Sequence, residues 1–229
     1  VDTGRLLPAG LHAEIPAERL AQARIAGDIL GDQIWKQFPW VGCNHGGDAH
    51  AHAMPTTTDP VEAILNRTWR PALSVTGAEH LPGIASAGNV LRPKTSLKLS
   101  LRLPPTIDGD RAAAIVKQVL EADPPYGARV HFSGNHGATG WNAPPTAPWL
   151  LRAAEEASQA AWGKPVAWIG EGGTIPFMSM LGEKFPSAQF LITGVLGPHS
   201  NAHGPNEFLH LDAAKRLTAA VASIVADVR

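Results

Sequence analysis

Apolar and polar side chains alternate most regularly between Ser96 and Leu103: Leu97, Leu99, Leu101 and Leu103 interleave with Ser96, Lys98, Ser100 and Arg102. A period of two sends successive side chains to opposite faces, so a strand with one apolar and one polar face is predicted, stopped by Pro104-Pro105. A shorter strand is predicted over 72–76, and 129–132 reads as a returning strand. Between these strands Ala112, Ile115, Val116, Val119 and Leu120 recur at helical spacing. Strand, strand, helix, strand is most of a split-βαβ, ferredoxin-like sheet with its helices on one face. Further upstream, Ala17, Leu20, Ala21, Ala23, Ile25, Ile29, Leu30 and Ile34 predict an amphipathic helix over 17–38, ended by Pro39. Residues 39–60 show no periodicity and read as a loop unusually long for a compact domain.

A second pattern begins after Asn142-Ala-Pro-Pro145, which reads as a linker. A helix over 148–162, a strand over 165–169, a glycine-rich turn, a short helix after Pro176, a strand over 189–193 and a closing amphipathic helix over 212–228 are predicted in turn. Helices alternating with strands argue for part of an α/β sheet whose site lies at the strand ends. The expected organisation is therefore two regions, residues 1–140 and 145–229, with no internal repeat.

Composition narrows the class. At 229 residues, 44% of them hydrophobic, the chain can bury a sizeable core. A formal net charge of −1 gives no electrostatic pull toward nucleic acid or an acidic membrane, so neither is expected as a partner. The single cysteine, Cys43, excludes an internal disulfide framework and points to a reducing, cytoplasmic setting. No apolar run is long enough to span a bilayer, and Val1-Asp-Thr-Gly-Arg lacks the order of a secretory signal. The absence of an initiator Met suits a processed or truncated product.

Candidate chemistry clusters in a few places. His203, in Asn201-Ala-His-Gly-Pro-Asn-Glu207, sits on a loop between a predicted strand and the last helix, a usual location for ligands on open α/β sheets. Glu207, or the amides of Asn201 and Asn206, would hold its second ring nitrogen; the plainer alternative is a surface histidine. Glu171-Gly-Gly-Thr174 offers glycine amides to a carboxylate or oxyanion, against the simpler role of a tight strand-to-helix turn. Arg102, on the polar face of the clearest strand, is placed to pair bidentately with a carboxylate. Asn89, read as lying at the start of that strand, can donate to an oxyanion, and His136 lies near the linker. Glu155-Glu156 resembles paired carboxylates but sits in an alanine-rich helix, where a solvated face is the simpler account. His210-Leu-Asp212 mimics a metal-binding pair, yet Asp212 reads as a helix N-cap. His45, His50 and His52 with Cys43 and Asp48 match no standard zinc spacing, so a solvent loop is the better account of them.

Taken together, three segments resemble the zinc aminoacylase and dipeptidase family that includes carnosinase, carboxypeptidase G and succinyl-diaminopimelate desuccinylase. Gly88-Asn-Val-Leu-Arg-Pro followed by Ser100-Leu-Arg-Leu-Pro104 is similar to the lid strand that carries the family's substrate arginine. Glu171-Gly-Gly-Thr-Ile-Pro is similar to the Glu-Gly-Gly-Ser-Ile-Pro turn, and Ala202-His-Gly-Pro-Asn-Glu to the loop that supplies the last zinc ligand. The resemblance implies a lid and dimerisation domain over 1–140, its first strand missing, then the C-terminal part of an α/β zinc-peptidase catalytic domain over 145–229. It implies that His203 is a zinc ligand, that Arg102 grips the substrate carboxylate and that His136 is a further substrate contact. Gly172, Gly173 and Thr174 would line the carboxylate pocket, and Asn89 would stabilise the oxyanion across a homodimer formed by the lid.

The substrate implied is a peptide or acyl-amino acid, and the complete enzyme would hold one or two zinc ions. The family's His-x-Asp motif, bridging Asp and Glu-Glu base are not found, nor is the lid's first strand with its histidine. Hydrolysis needs a metal-activated water and a base, so the chain alone is expected to be inactive and to work with an N-terminal catalytic segment of the same enzyme. The alternative from another class is a non-catalytic dimerisation or binding module.

Overall fold

The computed structural model describes residue 6 and residues 8–36, 55–134, 137–172, 176–197 and 199–228. They fall into two compact units. One is drawn from Val1–Ile15, Asn66–Asn142 and Glu171–Ser179, the other from Pro16–Leu65, Ala143–Gly170 and Met180–Arg229. Among the described residues seven α-helices run in chain order: α1 (Ala17–Leu30), α2 (Gln33–Lys36), α3 (Pro60–Thr68), α4 (Gly109–Glu121), α5 (Pro148–Trp162), α6 (Pro176–Lys184) and α7 (Leu211–Ala226). Two strands, β1 (Ala72–Glu79) and β2 (Ser96–Arg102), and three short 3-10 turns complete the regular structure of the described residues. None of these helices is long and apolar enough to cross a membrane.

The first unit is organised by the antiparallel pair β1–β2. Leu73 faces Leu101 and Val75 faces Leu99, and after an irregularity between Val75 and Gly77 Ala78 faces Leu97. The predicted alternation thus becomes one apolar face shared by two strands. The irregularity carries β1 beyond the predicted 72–76. Asp108 caps α4, its Oδ1 accepting the Arg111 N–H at 2.8 Å, and Ala112 is buried. The short helical turn Ala9–Leu11 lies against α4: a Cβ on Gly10 would come within 2.6 Å of Ile115 Cδ1, and Leu11 is buried.

The returning strand expected over 129–132 forms no ladder among the described residues. Glu121 at the end of α4 instead accepts the Phe132 N–H at 2.7 Å. A strand exists only where a second backbone pairs with it, and a lone carboxylate has taken that part here.

In the second unit α5 packs on α7. Leu150, Ala153, Ala154 and Ala157 recur at helical spacing and bury themselves against Ala220 and Ile224. Small side chains at the seam let the helix axes approach closely. Trp149, Val166, Trp168 and Leu191 cover the edge of this core. Pro148 opens α5, where its missing N–H costs nothing, and Gly163 closes it with φ 64°. On α1, Ala23, Ala26 and Gly27 are buried. A Cβ on Gly27 would lie 3.1 Å from Val61 Cγ2, so α1 rests on the start of α3.

The strands expected over 165–169 and 189–193 also lack ladders among the described residues. The Val166 N–H goes to Glu155 Oε2 at 2.9 Å, and the Gln189 side chain accepts the Ala147 N–H at 2.6 Å. Ile169 and Ile192 remain exposed.

Candidate functional site

The chain between residue 193 and α7 folds into a loop closed by its own polar groups. Ser200 is buried; its Oγ donates to the Gly197 carbonyl at 2.6 Å and accepts the Gly197 N–H at 3.3 Å. Asn201 Nδ2 donates to the Pro205 carbonyl at 2.5 Å, and the Phe208 N–H reaches the Ser200 carbonyl at 3.2 Å. A Cβ on Gly204 would fall 2.6 Å from Asn201 Nδ2, so the turn admits only glycine without rearrangement.

His203 stands exposed at the tip of this loop, with φ 62°. Its N–H donates to Glu207 Oε2 at 3.1 Å. Glu207 and Asn201 therefore hold the backbone, not the second imidazole nitrogen as the sequence suggested. The ring makes no hydrogen bond to the described residues, which leaves both nitrogens open to a ligand. Below the loop a cavity of about 220 Å³ is lined by Trp162, Leu196, Ser200, Phe208, His210 and Leu217, among others.

Arg102 is the last residue of β2, on its polar face as predicted. Its Nη1 donates to the Gly172 carbonyl at 2.5 Å, joining the end of the strand to the glycine-rich turn. Gly172 has no room for a side chain, because a Cβ would lie 2.6 Å from the Arg67 carbonyl oxygen. The Gly172 N–H is taken by the Glu171 carboxylate at 2.9 Å. That backbone donor is thus occupied by the side chain of the preceding residue. The family resemblance put both positions at one carboxylate pocket; a direct bond between them is visible only in the folded chain.

Asn89 is exposed and lies outside β2, which begins at Ser96 rather than near Val90. Leu91 beside it is fully exposed, so this apolar stretch has no partner to pleat against. His136, Gly173 and Thr174 lie outside the described residues, as do Cys43, His45, Asp48, His50 and His52.

Glu155 is no member of a carboxylate pair. The Gln159 amide first, and the Val166 N–H second, hold its carboxyl below its ordinary value, and it serves as an ionised anchor. At α7 the cap is His210, whose Nδ1 accepts the Ala213 N–H at 3.3 Å, and Asp212 falls in the first turn instead. An imidazole with its Nδ1 lone pair committed to a helix cap is not free to chelate through that atom.

A catalytic zinc takes three protein ligands. Among the described residues no group of three His, Cys, Asp or Glu side chains lies close enough to hold a metal, so these residues do not by themselves fit one.

Residues 41–227 match the model of peptidase family M20/M25/M40. The chain belongs to that family. A family relative, the cysteinylglycine-S-conjugate dipeptidase of Corynebacterium striatum, is 31% identical over 142 residues, which is 60% of this chain and 30% of that protein. Among solved structures, human carnosine dipeptidase 1 superposes with a TM-score of 0.68 at 17% identity, over 99% of this chain and 46% of that one. The di-peptidase Dug1p of Saccharomyces cerevisiae gives 0.68 at 18% identity, over 100% and 46%. The M20 family metallo-carboxypeptidase Sso-CP2 of Sulfolobus solfataricus gives 0.67 at 19% identity, over 97% and 48%. The fold is that of part of an α/β metallopeptidase, and the chain spans less than half the length of each of these family members.

Proposed function

We propose that this chain supplies part of a zinc-dependent dipeptidase or amidohydrolase that cleaves the amide bond next to a carboxylate. The observation that carries this is the pairing of Arg102 with Gly172, which joins two of the three family-like segments in one place. A guanidinium offers a planar fork for the two oxygens of a carboxylate, and the Gly172 N–H beside it, held by the Glu171 carboxylate, would become a backbone donor to substrate once that side chain is displaced. Gly173 and Thr174 would extend that pocket, and His136 would add a contact. His203 would be a zinc ligand, its ring left open by a loop that spends its own polar groups on the backbone. Further zinc ligands and the general base would come from another segment of the enzyme. The exposed Ile169 and Ile192, in segments without ladder partners among the described residues, support such a companion.

Asn89 would act on the oxyanion across a homodimer built on the β1–β2 region, where Val75 and Leu97 stand more than half exposed. That same exposed face favours the second reading, a non-catalytic dimerisation module. Zinc content separates the two. In the complete enzyme, His203→Ala should lose zinc and turnover together, while Arg102→Ala should keep its zinc and raise KM for carboxylate-bearing substrates. Full zinc and near-normal turnover in His203→Ala would refute the ligand assignment.

A further inference from the structure

We infer that Arg102 is a positioning residue for Gly172: one guanidinium nitrogen holds the Gly172 carbonyl, so that this peptide is set before any substrate arrives. The sheet register explains how this comes about. Arg102 pairs with Ala72 at the open end of the β1–β2 ladder, and Arg67, in the last turn of α3, lies just upstream of Ala72. The end of β2 and the approach to β1 therefore meet at one place, and Gly172 is seated there from both sides. Arg102 Nη1 takes its carbonyl at 2.5 Å. The Arg67 carbonyl comes so close to its α-carbon that a Cβ would sit 2.6 Å away, with Arg67 Cγ at 3.5 Å.

The carbonyl of Arg67 belongs to the last turn of a helix, where backbone oxygens have no intrahelical partner. Only a glycine can approach it this closely. The requirement for glycine at 172 is thus steric and comes from α3, whereas the fixing of its peptide plane comes from Arg102.

Guanidinium geometry lets one residue do two jobs. Five N–H donors lie in one plane, and the bond to Gly172 uses one hydrogen of Nη1. The edge formed by Nε and Nη2 keeps its two parallel donors for a carboxylate. Arg102 then fixes the distance between its own fork and the Gly172 amide, as a single rigid piece would. A lysine reaches the carbonyl with one donor but offers no fork. The tether stands on distances within one unit. Its use in gripping a carboxylate rests on the function proposed above.

The test uses this chain labelled with ¹⁵N, in the absence of substrate, with backbone order parameters measured at Gly172 and at Leu99 and Leu101. Wild type should show Gly172 near the rigid limit of about 0.85, and Arg102→Ala should drop it below about 0.6 with Leu99 and Leu101 unchanged. Arg102→Lys should restore most of the order, since one donor suffices for the tether. Adding acetate then examines the fork: wild type should show chemical-shift changes at the Arg102 side chain and Gly172 amide that Arg102→Lys does not. A mobile Gly172 in wild type, an unchanged one in Arg102→Ala, or a loss of order spreading to Leu99 and Leu101 would each overturn the tether. An intact tether with no acetate response would leave the positioning role standing and count against the carboxylate grip.

Discussion

Replacing Gly109 with alanine should destabilise the protein, although helix propensity alone says the opposite. Gly109 is the first residue of α4, and its α-carbon lies against the backbone of Gly137. A Cβ there would be 2.4 Å from the Gly137 carbonyl carbon and 2.5 Å from its oxygen, and one on Gly137 would be 2.1 Å from the Gly109 oxygen. Carbon atoms in contact normally sit about 3.5–4.0 Å apart, so one backbone must retreat by about an ångström.

Two hydrogen bonds span this contact: the Gly109 N–H to Thr139 Oγ1 at 3.0 Å and the Gly137 N–H to Asp110 Oδ1 at 3.0 Å. Losing both costs about 2 kcal/mol, and forcing a methyl into a packed site costs about 1–3 kcal/mol more. The better helix propensity of alanine returns at most about 1 kcal/mol, so the net loss should be about 2–4 kcal/mol. Urea denaturation followed by circular dichroism measures it, with Gly83→Ala as control. A Cβ at Gly83 meets only Ser86 Oγ, at 3.9 Å, and should change stability by less than about 0.5 kcal/mol. If Gly109→Ala is as stable as wild type, the two backbones are not in contact and the anchoring of the 137–140 segment on α4 is wrong.

Other consequences are testable on the same chain. Leu150→Ala should cost about 2–4 kcal/mol in the same urea assay, because Leu150 is 2% exposed at the α5–α7 seam and its alanine-rich neighbours cannot fill the void. Ser200→Ala should cost about 0.5–1.5 kcal/mol by removing the hydroxyl that bridges the exposed Gly197 peptide, whose carbonyl keeps the Ser200 N–H, and should broaden the amide signals of 199–208 before those of α7. Glu121 has its carboxyl held below the ordinary value, first by Lys117 and then by the Phe132 N–H. A depressed folded value stabilises above the unfolded one, near 4.5, and that contribution fades as pH falls through the folded value. Wild type should therefore exceed Glu121→Gln in stability at neutral pH, and the gap should close below about pH 4.

The sequence made the local patterns legible and left the pairings obscure. Leu97, Leu99 and Leu101 announced β2 because alternation is a property of one segment, and the alanine-rich helix expected over 148–162 is α5. Residues 129–132, 165–169 and 189–193 are as apolar as real strands, but a ladder needs a neighbour, and their N–H groups at Phe132 and Val166 found carboxylates instead. Asn89 was drawn into β2 by Val90 and Leu91, two apolar residues that the fold leaves in solvent. At the candidate site Arg102 was legible from its place on the polar face, whereas its bond to Gly172 spans 70 positions and has no local signature. The loop around His203 did carry a signal that went unused. His199, Asn201, His203 and Asn206 all have positive φ, and histidine and asparagine are the non-glycine types that enter that region most readily.

Those four residues have a consequence for chemistry outside the ribosome. An L-residue with positive φ carries a cost of about 1–2 kcal/mol, which its mirror image would not bear. The loop closed by Ser200 and Glu207 is thus a backbone written partly in the opposite handedness. A semisynthetic chain with D-asparagine at 206 would keep the amide and relax the fold at that point. The same exchange at 203 would hold the imidazole on a backbone that no longer resists its own shape.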